Sequence, residues 1–328
     1  MKPSPLLATP TQIPGIEPAR LQFIEREFHD ILRDAPDADR IRQIYHALFT
    51  EGKSPAVVRN QFSRPQSSLR VIAVTSGKGG VGKTTVSVNL AAALAARGRR
   101  VLLFDADLGM ANVHIFAGVT PRGTLLDVVE GRSTLAQILT SGPGGIQIVC
   151  GASGVAGLAD LDSQVIERIG RELARLAGDF DVLLIDTGAG ISAQVMQFLT
   201  LAHEMIVVAT PNLAATLDAY GVIKVAREAR LPAQISILVN QTESETEAGA
   251  IFARLSGCSH RFLQVLPASL GSLRRDPAVE AANQSRQPLV LSQPASENAR
   301  RFTALAARLV GDPPPAAAAL PSSHAAAA

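Results

Sequence analysis

The segment Gly77-Lys78-Gly79-Gly80-Val81-Gly82-Lys83-Thr84-Thr85 holds the most chemically specific residues of the chain. It fits G-x-x-x-x-G-K-[S/T] and lies between a strand-like run, 71–76, and a helical pattern over 83–97. That is the context a phosphate-binding loop requires. Glycines let the backbone curl so that successive N–H groups face phosphate oxygens, and the helix that follows adds its positive end. Lys83 is spaced to reach the β- and γ-phosphates, and the Thr84 hydroxyl to ligate Mg2+. Lys78 is surplus to that chemistry. Two lysines around one site repel unless phosphate charge lies between them.

Carboxylates stand at the ends of two further apolar runs. VLLFD (101–105) ends in Asp105-Ala106-Asp107, followed by Gly109 and Asn112. DVLLID (181–186) ends in Asp186 and continues as Thr187-Gly188-Ala189-Gly190. Ligands of open α/β sheets bind outside the carboxyl ends of the strands, so Asp105, Asp107 and Asp186 belong at the phosphate edge. Four apolar residues and then Asp186 is the pattern of a carboxylate that holds Mg2+ through water. Gly188 and Gly190 would let that backbone reorient when a γ-phosphate is present. Asp181 begins its run and falls at the wrong end. Asn240 closes the run ISILVN (235–240), where an asparagine can equally serve a turn.

The elements that must position these groups follow from periodicity. Strand-like runs at 71–76, 101–105, 146–150, 181–186, 205–210, 235–240 and 262–266 alternate with helical patterns at 83–97, 162–177, 191–202, 213–229, 245–256, 276–284 and 296–310. Apolarity that is continuous along a strand means both sheet faces are covered. The expected fold is therefore α/β, a doubly wound and mainly parallel sheet. Four zones are expected: a flexible Pro-rich lead-in over 1–16, a small helical extension and hinge over 17–69, the P-loop domain over 70–310, and a disordered Pro/Ala tail over 311–328.

Composition narrows the classes that remain. Hydrophobic residues make up 47% and charged ones 18%, enough for a large core. Basic and acidic residues number 31 and 29, so no strong field calls for nucleic acid. Two cysteines supply neither a disulfide framework nor a four-cysteine metal site, and the six histidines show no ligand spacing. No apolar run reaches the roughly 18 residues of a membrane span, and the N-terminus does not read as a signal peptide, so a cytoplasmic protein is expected.

With these motifs in view, KGGVGKTT resembles the deviant Walker A loop of the MinD/ParA ATPases, and DADLGMAN and DTGAG resemble their two switches. The resemblance implies an ATP- and Mg2+-dependent ATPase that forms a homodimer. It implies that Lys78 acts across the dimer on the partner's nucleotide and that Asp107 orients the attacking water, with a water-mediated link to the metal. Asn112 would lie near the γ-phosphate across the dimer, Asn240 would read the adenine edge, and Pro267 would border the base. Gly109, Thr187, Gly188 and Gly190 would be switch residues. ADLGMANV, GIQIVCGASG and ATPNLAATLDAYGVIK further resemble the branch that sets flagellar number, FlhG/FleN/YlxH, which implies a polarity or flagellar-assembly protein as partner. Septum-site MinD-type and ParA-type DNA-segregation roles are the alternatives, with a nucleotide-gated protein restraining a transcription activator as a third. Near-neutral charge argues against the DNA role. PDADRIR (36–42) only loosely echoes the activating N-terminal motif of that branch. Phe302, Leu305, Leu309 and Val310 form one apolar face beside Arg300, Arg301 and Arg308. The family often uses such a helix for peripheral membrane contact, but the absence of Trp and a neutral tail favour packing on the sheet.

Overall fold

Apolar runs too continuous for a half-exposed sheet require cover on both sides, and the chain supplies it. In the computed structural model, which describes residues 69–153 and 163–312, eight strands form one sheet. They are β1 (Arg70–Ser76), β2 (Val101–Ala106), β3 (Thr140–Ser141), β4 (Gln147–Val149), β5 (Val182–Ala189), β6 (Glu204–Ala209), β7 (Gln234–Thr242) and β8 (Ala268–Arg274). Their spatial order is β3-β4-β2-β5-β1-β6-β7-β8, and every pairing is parallel except β3 with β4. The chain thus winds outward from β1 in both directions, a doubly wound sheet as expected.

Successive residues feed opposite cores. Ile72, Val74 and Leu184 face α1 (Lys83–Ala95), whereas Val71, Ala73, Leu183 and Ile185 face the other layer. That second layer includes α5 (Ser163–Leu176), α6 (Ala193–Leu199), α7 (Leu213–Glu228) and α8 (Glu245–Leu263). α1 is buried on nearly every side, which its run of Val, Leu and Ala permits. It is enclosed by the sheet and by α11 (Glu297–Leu309), whose Phe302, Leu305 and Leu309 are 1–5% exposed. Asp312, just beyond, pairs with Arg97 and Arg99 at the far end of α1. The apolar face of α11 is therefore packed inside the fold. Among the described residues no helix is long and apolar enough to cross a membrane.

The strand expected at 262–266 does not form. α8 continues through Phe262 and Leu263 and stops at Gln264, which takes φ 54°, and the last strand begins at Ala268. FLQVL is apolar without being core: Phe262 and Leu266 are 46% and 75% exposed. The true edge strand, ASLGSLR, turns only Leu270, Ser272 and Leu273 inward, so it carries no apolar run. The short helices α2 (Val113–Phe116), α3 (Leu125–Val129), α4 (Leu135–Ile138) and α10 (Leu289–Ser292) also lack the length that periodicity needs. The expectations for 1–16, for 17–69 apart from buried Leu69, and for the tail beyond Asp312 lie outside the described residues.

Candidate functional site

The carboxyl ends of β1, β2, β5 and β7 open at one sheet edge and deliver there the loops after residues 76, 106, 189 and 242. The phosphate loop closes against its neighbours at two glycines. A Cβ on Gly77 would stand 2.1 Å from the Asp218 carbonyl oxygen of α7. At Gly82, φ is 91° and a Cβ would stand 2.5 Å from Asn240 Nδ2. No side chain caps the N-terminus of α1, so its first N–H groups are left for an anion.

Lys83 follows at once and is 8% exposed. Burial lowers its pKa, while the carboxylates of Asp186 and Asp107 work in the opposite direction. Asp186 accepts hydrogen bonds from Thr84 Oγ1 at 2.7 Å and Ser87 Oγ at 2.8 Å. A threonine hydroxyl beside a buried carboxylate is a hard-oxygen donor set suited to Mg2+. Together with the uncapped helix end, these residues fit a magnesium–nucleotide complex.

Burial pushes the Asp186 carboxyl up to about 6, against the pull of Thr84, Ser87 and Lys83. Burial and the Asp186 charge hold Asp105 well above the ordinary carboxylate range as well. Groups whose folded pKa is raised stabilise the fold at low pH and lose that contribution as pH rises through the folded value. Asp127 and Asp181 have depressed pKa values, so their effects fall below the ordinary carboxylate range instead. In buffer free of nucleotide and Mg2+, Asp186 should therefore pull the urea midpoint down between about pH 5 and pH 7.5, opposed in that window by His114, whose pKa burial lowers. Asp186→Asn should flatten that slope; a slope unchanged in the variant would contradict the assignment.

Asp105 is buried and accepts from Asp107 N–H at 3.2 Å and Val113 N–H at 3.0 Å, so it braces the loop after β2. Asp107 is freer. It accepts from Met110 N–H at 3.1 Å, and a Cβ on Gly188 would meet its Oδ1 at 3.5 Å. Gly109 is exposed, and Asn112 donates to Met110 O at 2.8 Å at the head of α2. Thr187 Oγ1 donates to Val74 O at 3.2 Å, and Gly190 N–H to Ser76 O at 2.8 Å, which zips the segment after Asp186 onto the end of β1. The structure thus brings together Lys83, Thr84, Asp107, Asp186 and Gly188. Lys78 is exposed at the head of the loop; burial raises the pKa of Asp218 beside it, and the Lys78 charge opposes that rise.

Asn240 does reach the loop, with its side-chain amide on the loop's backbone: Nδ2 donates to Val81 O at 2.8 Å, and Oδ1 accepts from Gln241 N–H at 2.9 Å. Pro267 is placed elsewhere. It precedes Ala268, which pairs with Ser236 near the start of β7, whereas Asn240 lies toward that strand's end. Pro267 therefore sits at the edge of the sheet away from the phosphate loop, which corrects its expected position beside a base. The error has the same origin as the misplaced last strand: the turn that belongs at the nucleotide edge is Arg274-Arg275-Asp276, after β8.

Three residues with polar contacts here had no expectation. Ser87 lies on the same helical face as Thr84, three residues on, a spacing that could have exposed it. Asp218 and Asn283 arrive from distant helices, and no local pattern marks them.

The CobQ/CobB/MinD/ParA nucleotide binding domain matches residues 72–310. The antiactivator FleN of Pseudomonas aeruginosa is 40% identical over 248 residues, 76% of this chain and 89% of that protein. The flagellum site-determining protein YlxH of Helicobacter pylori is 33% identical over 196 residues, 58% of this chain and 64% of that protein. Among solved structures, the septum site-determining protein MinD from Pyrococcus horikoshii, complexed with Mg-ADP, superposes with a TM-score of 0.64. It is 28% identical, and the match covers 74% of this chain and 96% of that one.

Proposed function

This chain belongs to the CobQ/CobB/MinD/ParA family of nucleotide-binding domains, and from that membership we propose that it is an ATP-driven dimerisation switch that sets flagellar number or placement. It is a P-loop ATPase that uses ATP with Mg2+. In the proposed roles, Lys83 and the N–H groups at the start of α1 hold the phosphates, Thr84 and Asp186 hold the metal side, and Asp107 orients water. Magnesium, when bound, offsets phosphate charge. Asp107, which lies close over Gly188, and the Gly190 bond to β1 then form a latch whose geometry depends on whether a γ-phosphate stands beside it.

Lys78 carries the dimer reading. It is an exposed ammonium at the mouth of a loop whose own phosphate lysine, Lys83, is already in place. Met110 and Leu213, at the same edge, are 70% and 58% exposed, and a second copy would cover both. ATP shifts the monomer–dimer balance only through tighter binding to the dimer, and contacts made across the interface supply that difference. Similarity to the flagellar relatives supports a polarity or flagellar-assembly protein as partner, working with a cytoplasmic protein.

Light scattering on the full chain tests the switch. The wild type should become dimeric with ATP and Mg2+ and stay monomeric with ADP, while Lys78→Ala should still bind ATP but remain monomeric. Normal dimerisation and turnover in Lys78→Ala would refute the role of Lys78. In the cell, deletion should alter the number or position of flagella; misplaced septa with normal flagella would favour a division role.

A further inference from the structure

Thr85, the second threonine after the phosphate loop, is gripped by residues about 200 positions later in the chain. Asn283, in α9 (Pro277–Gln284), donates Nδ2 to Thr85 Oγ1 at 3.2 Å across a separation of 198 residues. Val290, in α10, donates its N–H to Asn89 Oδ1 at 3.1 Å, and Asn89 Nδ2 donates to the Thr85 carbonyl at 2.8 Å. One segment therefore addresses both ends of Thr85, directly at the hydroxyl and through Asn89 at the carbonyl. Thr85 and Asn89 are 8% and 2% exposed, so little water competes for these bonds.

The donor inventory fixes what the hydroxyl can do next. An amide nitrogen only donates, so the Thr85 oxygen must accept at that contact, and its own proton points elsewhere. A helical threonine commonly donates back to the carbonyl four residues earlier. Here that carbonyl is Val81 O; it accepts Asn240 Nδ2 at 2.8 Å, and the Thr85 hydroxyl makes no bond to it. The proton is then most useful toward the anion site, because Thr85 lies in the first turn of α1 beside Lys83 and Thr84.

We infer that Asn283 is a positioning residue: it holds the Thr85 hydroxyl as a donor to a nucleotide phosphate, and so ties the 277–292 segment to nucleotide affinity. The inference rests on the ATP reading of the loop. Calorimetric titration of the full chain with Mg-ATP tests it in Asn283→Ala, Thr85→Val, the double variant and Asn283→Asp, with Lys83→Ala alongside. Asn283→Ala and Thr85→Val should each weaken binding by about five- to tenfold. The double variant should bind no more weakly than Thr85→Val, because the asparagine acts through the hydroxyl it no longer finds. Asn283→Asp should bind more weakly than Asn283→Ala, since a carboxylate takes the hydroxyl proton and sets negative charge beside the phosphates. Thermal melts of the nucleotide-free variants should stay near wild type. The inference fails if Asn283→Ala binds like wild type, or if it costs its full factor in the Thr85→Val background. Retained binding by Lys83→Ala would instead remove the nucleotide reading on which it stands.

Discussion

Lys83→Ala abolishes Mg-ATP binding, with an expected loss of about 100-fold or more in affinity. The ammonium is 8% exposed and sits where its charge acts on Asp186 and Asp107. In so dry a site its attraction to phosphate is weakly screened. Its removal also strips the anion site of the cation that balances two carboxylates, so an incoming phosphate meets net negative charge. No described neighbour can replace it, because Lys78 stands exposed at the other end of the loop. Titration with ATP and Mg2+ measures the effect; an affinity within about threefold of wild type would refute the assignment.

Asp107→Ala should separate binding from turnover. ATP still binds and the dimer still forms, while hydrolysis falls by about 100-fold or more, the usual contribution of a positioned proton acceptor. Asp105 cannot take over, since both its oxygens brace the loop through the N–H groups of Asp107 and Val113 and burial disfavours its charged form. Asp107 has one such tie, from Met110 N–H, and otherwise faces Gly188 and the lysine. Single-turnover hydrolysis together with light scattering reads both properties. Loss of ATP binding in this variant would assign Asp107 to loop structure instead, and unchanged turnover would exclude it from catalysis.

The parts of the site that could be read along the chain are those whose chemistry is local. Glycine spacing, Lys83, Thr84 and the helix that follows occupy one continuous stretch, and backbone geometry alone turns them toward a common anion. Asp107 and Asp186 were legible because one follows an apolar run by two residues and the other closes one, and in a parallel sheet all such ends share an edge. Ser87 was legible in principle, one helical turn beyond Thr84.

One apolar run is not distinguishable from another by composition alone. FLQVL has the composition of a strand, yet Phe262 and Leu266 face solvent and the helix runs on through Leu263. The edge strand ASLGSLR is covered by few residues and so needs few apolar ones, which hides it among turns. Pro267 was misplaced by the same step, because moving the strand by six positions moves a residue from one edge of the sheet to the other. The apolar face of α11 reads as one that packs on the sheet, and its burial against α1 agrees.

Local residue types and their spacing were enough to specify a phosphate loop, a parallel sheet and the carboxylates at its edge, because helix, strand and anion-binding turn each follow from short-range sterics and hydrogen bonding. Tertiary structure alone decided that Asp218 lies by Lys78 and that Asn283 reaches Thr85 from 198 positions away. Those pairings have no sequence period. They depend on which helices the sheet order brings together, and so on the burial of the whole core.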